Sequence, residues 1–185
     1  MKIALMAQLE TGRLLLRELV QEDWAAIHRY GSDPEVSRYM DWGPNTEADT
    51  DAFMAQALAV QRAEPRPNFQ LAVVLKREDR LIGVCTLVFS DIPSREATLG
   101  YAYERAAWGQ GYATEAARAM LAFGFGELGQ HRIWATCAPA NIGSKRVLEK
   151  IGMQREGYLR AHRWVKGRWR DSLLYAILEQ DRWNL

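Results

Sequence analysis

Residues 104–121 read ERAAWGQGYATEAARAML. Two glycines, Gly109 and Gly111, stand one residue apart at the mouth of a run whose apolar spacing reads as a helix. Flexible residues in that place serve either a tight strand-to-helix turn or a nest of backbone N–H groups for a negatively charged ligand. Two known phosphate loops can be tested against it. A P-loop requires Gly-Lys-Ser/Thr so that lysine reaches the terminal phosphates, whereas Tyr112 follows Gly111 here. A dinucleotide-binding loop requires a third glycine where this chain has Thr114. GFGELG, residues 124–129, does spell that glycine pattern. It closes a helix and leads into a strand, the reverse of the order that points helix amides at a diphosphate, so it reads as a helix terminus. Residues 109–114 need no lysine to hold an anion. The first turn of a helix has N–H groups without intrahelical partners, and the macrodipole adds roughly half a positive charge there. Taken alone, the stretch favours the plain turn and leaves the anion nest as the alternative.

Working outward, ATLGYAYE alternates, with Leu99, Tyr101 and Tyr103 on one face and Thr98, Gly100 and Ala102 on the other. Before it, NFQLAVVLK and LIGVCTLVF flank the charged turn REDR, a hairpin signature. RLLLREL, 13–19, reads as a first strand. QEDWAAIHRYG then reads as a short helix with Trp24, Ile27 and His28 on one face and Gly31 as its stop. SRYMDWGPN, 37–45, is aromatic and irregular. Thr46 then caps a helix to about Arg62 that carries Phe53, Met54, Ala57, Leu58 and Val60 on its apolar side. After the opening stretch a helix from Tyr112 to about Leu128 ends at Gly129, HRIWATCAP is a strand, and NIGSKRVLEKIG is a helix with Asn141 at its cap. YLRAHRWV and RWRDSLLYAIL, joined at Lys166-Gly167, close the chain as a hairpin. The pattern is mixed α/β: mostly antiparallel strands with one strand–helix–strand unit in the second half.

The 185 residues suit one domain with a substantial core, not two. A net charge of +1 excludes attraction of the whole chain to nucleic acid or anionic lipid. Cys85 and Cys137 both lie in apolar strands, which fits neither a disulfide framework nor a metal cluster and points to a reducing cytoplasm. No apolar stretch is long enough to span a membrane, and MKIALMAQLETGR has too short an apolar run for a secretory leader. The expectation is a cytoplasmic protein, residues 1–185 forming a single domain, without a metal.

The order of these segments, GYAY, WGQGYATEA, a long helix, HRIWATCAPAN, then SKRVLEKIGM and REG, resembles the GNAT N-acetyltransferases. Within that superfamily it is most similar to the RimJ/RimL branch, which acetylates protein N-termini. The resemblance runs from RLLLREL through RDSLLYAIL. It implies an α+β fold with a seven-stranded, mostly antiparallel sheet, flanked by helices and splayed between its fourth and fifth strands, with acetyl-CoA in the opening. The superfamily's Gln/Arg-x-x-Gly-x-Gly/Ala loop falls on Trp108, Gly111 and Ala113. The resemblance therefore assigns the pyrophosphate to the backbone from Gly109 through Gln110, Gly111, Tyr112 and Ala113 to Thr114. It assigns pantetheine to the main chain of Tyr101, Ala102 and Tyr103, and the thiol end to Asn141 and Ser144. It also places the irregular segment with Tyr39 and Trp42 on the acceptor side.

The chain departs from the superfamily at several positions. Trp108 replaces Gln/Arg, as is common in this branch. Thr98 stands where relatives often carry a glutamate, and Arg163 where close relatives carry a carboxylate proposed as base. The tyrosine that many members use to protonate the leaving thiolate falls on Leu148. Ser144 is then the general-acid candidate and Glu104, at the strand end near the expected site, the candidate base, with helix capping by Asn141, a surface serine and a solvated glutamate as the plain alternatives. The basic stretch Arg160, His162, Arg163, Lys166, Arg168 and Arg170, interleaved with Trp164 and Trp169, reads as a solvated hairpin face, or else as a contact for an acidic acceptor, the ribosome or the cofactor's 3′-phosphate. The expected activity is direct acetyl transfer from acetyl-CoA to a protein N-terminal amine. A small-molecule amine is the alternative acceptor, and a non-catalytic acetyl-CoA-binding module the alternative class. The sequence leaves monomer and homodimer equally open.

Overall fold

The computed structural model describes residues 7–91 and 94–184, so the opening MKIALM lies outside the described residues. Strands β1 (Gln8–Glu10), β2 (Leu14–Glu18), β3 (Asn68–Leu75), β4 (Arg80–Asp91), β5 (Glu96–Tyr103), β6 (Arg132–Cys137), β7 (Gln154–Val165) and β8 (Arg168–Leu178) form one sheet in the order β1-β2-β3-β4-β5-β6-β8-β7. Only β5 and β6 run parallel, joined by the crossover helix α4 (Tyr112–Gly126). The other helices are α1 (Trp24–Gly31), α2 (Pro34–Ser37), α3 (Glu47–Val60) and α5 (Ile142–Lys150).

The sheet has eight strands among the described residues where seven were expected. The addition is β1, which pairs with β2 from Gln8↔Arg17 to Glu10↔Leu15. Three residues with one apolar side chain carry no period to read. The turn is set by Thr11, whose N–H donates to the Leu14 carbonyl at 3.0 Å and whose hydroxyl oxygen accepts from the Leu14 N–H at 3.0 Å.

Both faces of the sheet are covered. Along β3, Leu71, Val73 and Leu75 pack into the core beneath α4 and α5, while Ala72 and Val74 join Leu19, Ile27, Met54 and Ala57 beneath α1 and α3. A strand buried on both sides reads as an unbroken apolar run, as LAVVL does. Each such Leu or Ile contributes about 1.5–3 kcal/mol on burial. Gly124 explains part of the GFGELG spelling: a Cβ there would meet Ile133 Cδ1 at 2.6 Å and Leu87 Cδ1 at 3.1 Å, so the glycine lets α4 lie close on the sheet.

The ladder between β5 and β6 is short. It runs from Glu96↔Arg132 to Thr98↔Trp134 and stops, whereas β5 stays paired with β4 as far as Gly83↔Tyr103. On its other side β6 stays paired with β8 as far as Cys137↔Leu173. The strands therefore part beyond Thr98, and the β6-facing main-chain edge of residues 99–103 has no strand partner. Counted from RLLLREL, this is the opening expected between the fourth and fifth strands.

Candidate active site

A cavity of about 660 Å³ occupies the opening. Gly109 and Gly111 begin it, with φ of +74° and +82°, the left-handed region where only glycine is unstrained. A Cβ at Gly109 would meet nothing within 4 Å, and one at Gly111 would meet first Arg13 Nη2 at 3.4 Å. The glycines are thus needed for the sign of φ, and the space above them is open. Gly111 is the N-cap of α4, and no side chain caps that helix. The first-turn amides of Tyr112, Ala113 and Thr114 therefore face the loop without a capping acceptor, at the positive end of a fifteen-residue helix.

The loop is held from outside. Trp108 Nε1 donates to the Tyr103 carbonyl at 2.9 Å, folding the half-exposed indole back over the end of β5. Gln110 Nε2 donates to the Ala106 carbonyl at 2.6 Å, and Arg13 Nη1 donates to the Gln110 carbonyl at 3.0 Å. Arg13 lies over the Tyr112 ring at 4.5 Å and pairs with Glu115 at 2.7 Å. Burial works to raise the Glu115 carboxyl, but hydrogen bonds from the Thr11 hydroxyl and from the Arg13 main chain and side chain outweigh it and hold Glu115 below the usual carboxylate range.

Of the residues assigned by sequence to the cofactor, Tyr101, Ala102, Tyr103, Trp108, Gly109, Gly111, Ala113, Thr114, Asn141 and Ser144 line the cavity. Gln110 turns its side chain away, and Tyr112 is buried in the core. Asn141 also caps α5, its Oδ1 accepting from the Ser144 N–H at 3.1 Å. Ser144 sits against two side chains of the sheet: the Tyr101 hydroxyl, 2.9 Å from its Oγ, and the Cys137 thiol. Burial pushes the Cys137 thiol up, and it pushes that of Cys85 up to about 12, so neither is a thiolate at neutral pH.

On the acceptor side, Tyr39 lines the cavity, whereas Trp42 packs instead against the core under α1 and α3. Glu104 does not line the cavity. It is buried at the end of β5, and its carboxylate is taken up by Arg80 and Arg29. The basic hairpin is partly engaged as well. Lys166 Nζ donates to the Ser37 carbonyl at 2.7 Å, Arg163 pairs with Asp41 at 3.0 Å, and Arg170 donates to the Tyr39 carbonyl. These contacts tie residues 37–41 to the mouth of the cavity, and Arg170 itself lines it. The three histidines lie outside the lining; His28, for example, stacks on Trp24 and bonds Thr50.

Sequence reading missed the cations around the loop. A second hollow shares Gly111 and Thr114 with the first and gathers Arg13, Arg118 and Lys150 beside two carboxylates, Glu10 and the Arg13-paired Glu115, while Arg146 joins Lys150 in the main cavity. Arg118, the one cation of α4, lies a turn below Thr114 on one helix face, and Arg146 and Lys150 lie a turn apart on a cationic face of α5. That the two faces meet is a tertiary fact. Among the described residues no group of His, Cys, Asp and Glu is arranged to hold a metal ion, and no helix is long and apolar enough to cross a membrane.

A parted parallel strand pair, a glycine turn and an uncapped crossover helix are the frame of a GNAT acetyltransferase. The family model for the acetyltransferase (GNAT) domain matches residues 13–154. An uncharacterised N-acetyltransferase of Bacillus subtilis, YnaD, is 40% identical over 174 residues, 94% of this chain and 98% of its own. The alanine N-acetyltransferase of ribosomal protein uS5 from Escherichia coli is 31% identical over 107 residues, 56% of this chain and 54% of its own. A GNAT-family acetyltransferase structure from Bacillus anthracis superposes with a TM-score of 0.83 at 37% identity, covering 94% of this chain and 99% of that one. Spermidine N-acetyltransferase from Vibrio cholerae, solved with CoA and spermine, shares the fold with a TM-score of 0.81 at 21% identity, covering 94% and 100%. This chain belongs to the GNAT family, in its RimJ/RimL-like group, and is an acetyl-CoA-dependent N-acetyltransferase. The binding-module alternative gives way to an enzyme.

Proposed function

We propose that residues 1–185 form one domain that transfers acetyl from acetyl-CoA to the α-amine of a protein or peptide N-terminus. One observation carries this reading: a single cavity, opened where β5 and β6 part, has the uncapped start of α4 on one side and Ser144 and Tyr39 on another. The amides of residues 112–114, with Arg13, Arg118 and Lys150 around them, suit a diphosphate and a further phosphate. The unpaired edge of residues 99–103 suits the amide-bearing arm of the cofactor, and Ser144 its sulfur end. When bound, acetyl-CoA supplies an activated acyl group for direct attack by an amine. The chain's own part is to align the two reactants, to offer β5 main-chain N–H to the carbonyl oxygen, and to offer the Ser144 hydroxyl to the sulfur as it departs.

The acceptor follows from which bases are missing. An α-amine, with a reference pKa of about 7.7–8.0, is on the order of one-tenth neutral at pH 7, whereas a lysine amine, at about 10.4, is neutral only to a few parts in ten thousand. The gap of roughly 2.5 pH units is worth about 3.4 kcal/mol, which a lysine acetyltransferase must recover with a positioned base. Here Glu104 is engaged by two arginines, and Glu35, the one carboxylate in the lining, pairs with Arg38 at 3.6 Å. Of the cations in the lining, Lys150 belongs to the phosphate end, and Arg170, bonded to the Tyr39 carbonyl, stands on the acceptor side, where it disfavours a polyamine. The test is tandem mass spectrometry of a peptide bearing a free N-terminus and an internal lysine, alongside a panel of small amines. Acetyl is expected on the terminus, with activity abolished when the terminus is blocked. Acetyl mainly on lysine, or only on small amines, would overturn the reading.

A further inference from the structure

The superfamily's phenol position on α5 is here Leu148, a fully buried hydrocarbon, yet a phenol reaches the same region from the facing strand. Tyr101, on β5, places its hydroxyl 2.9 Å from Ser144 Oγ, and both residues line the cavity. We propose that Tyr101 is a positioning residue: it donates its hydroxyl proton to Ser144 Oγ and so turns the serine's own proton toward the sulfur of bound CoA. The proposal rests on the reading above that Ser144 faces the sulfur.

The direction of the bond follows from the surroundings. The other acceptor within reach of the Tyr101 hydroxyl, the Ser144 main-chain carbonyl, lies farther away at 3.4 Å. Burial pushes the Tyr101 hydroxyl well above the ordinary phenol range, so it keeps its proton as a donor. The remaining groups that act on this pair are the thiols of Cys85 and Cys137, both pushed up by burial and uncharged at neutral pH, with Lys145, Glu149 and Arg170 acting on Cys137 from farther away. Cys137, in hydrogen-bond contact with Ser144, is the one rival acceptor for the serine proton, and as a neutral thiol it is a weaker acceptor than a CoA sulfur on which charge develops. A serine hydroxyl that accepts one hydrogen bond becomes a stronger donor in the next, and the gain is largest where water is excluded. The end of the chain is where negative charge develops on sulfur as its bond to the acyl carbon breaks, and released CoA then takes its proton from water.

The measurement is the affinity for CoA from pH 6 to 9 by calorimetry, with desulfo-CoA as the reference, in wild type, Tyr101→Phe, Ser144→Ala and the double variant. Thermal melts check the folding of each. A donor aimed at sulfur favours the thiolate, so the apparent thiol pKa of bound CoA should rise by about half to one pH unit in Ser144→Ala. Tyr101→Phe should show most of the same rise, and the double variant no more than Ser144→Ala. Turnover should follow, with kcat for Tyr101→Phe lowered about two- to tenfold and KM for acetyl-CoA unchanged. A wild-type profile in Tyr101→Phe beside a shifted one in Ser144→Ala would overturn the positioning role alone. Additive shifts in the double variant would do the same. No shift in Ser144→Ala would instead remove the serine from the sulfur, and with it the reading on which the proposal stands.

Discussion

Helices α3 and α4 both start after a loop, and they finish their first turns in opposite ways. At α3, Thr46 Oγ1 accepts from the Asp49 N–H at 3.2 Å and Asp49 Oδ2 accepts from the Thr46 N–H at 2.9 Å, a reciprocal box that gives those two donors acceptors from the helix's own sequence. At α4 the cap position is Gly111, in the left-handed region, and no side chain supplies an acceptor. The first arrangement stabilises the fold. The second leaves first-turn amides and the helix dipole facing a cavity, which is unfavourable for stability alone and suited to an anionic partner. The difference separates a helix start built for folding from one kept for a ligand.

The largest test of that contrast puts a carboxylate where the diphosphate belongs. Gly111→Asp should weaken CoA binding about 100-fold or more, because the amides then meet an internal anion and the ligand meets a repelling one. Calorimetric titration measures this, with circular dichroism as the check on folding. Arg118→Ala removes one cation from the hollow beside Gly111 and should weaken CoA binding about two- to fivefold, a loss that shrinks as salt is added. Thr46→Ala sharpens the contrast from the other side. It should cost about 1 kcal/mol of stability in denaturant titrations and leave CoA affinity unchanged. A matching loss of affinity would mean that α3 and the site are coupled.

The smallest effect is in pH. Hydrogen bonds from the Thr46 hydroxyl and N–H hold the Asp49 carboxyl below the ordinary aspartate range. A carboxyl lowered by folding stabilises the native state above its unfolded pKa, and that contribution is lost as pH falls through the folded value. The Tm gap between wild type and Thr46→Ala should therefore be full at pH 7 and shrink below about pH 4. A gap that stays constant into acid would show that the box does not depend on the charge of Asp49.

What could be read from sequence divides along the same line between local and distant partners. The Thr46 cap, the Asn141 cap, the Lys166-Gly167 turn and the NFQLAVVLK–LIGVCTLVF hairpin all carry their causes within a few residues, and each stands in the structure as read. The four-residue α2 went unread: it is too short to show a period, and Asp33 before Pro34 is its one local mark. Glu104 read as a free carboxylate because its partners Arg29 and Arg80 lie 75 and 24 residues away. The cationic rim of the loop begins with Arg13, about a hundred residues before Glu115, and the pairing of Tyr101 with Ser144 spans 43 residues. Groups brought together only by the sheet leave no spacing to detect.

The central claim is that the first-turn amides of α4 hold the diphosphate, and amide hydrogen exchange with and without CoA tests it most directly. Without ligand, the N–H groups of Tyr112, Ala113 and Thr114 should exchange rapidly, since no side chain among the described residues caps them. With saturating CoA their exchange should slow markedly, while that of Glu47 to Asp49 at the start of α3 stays unchanged. CoA bound with no protection at 112–114, or with equal protection at both helix starts, would contradict the account.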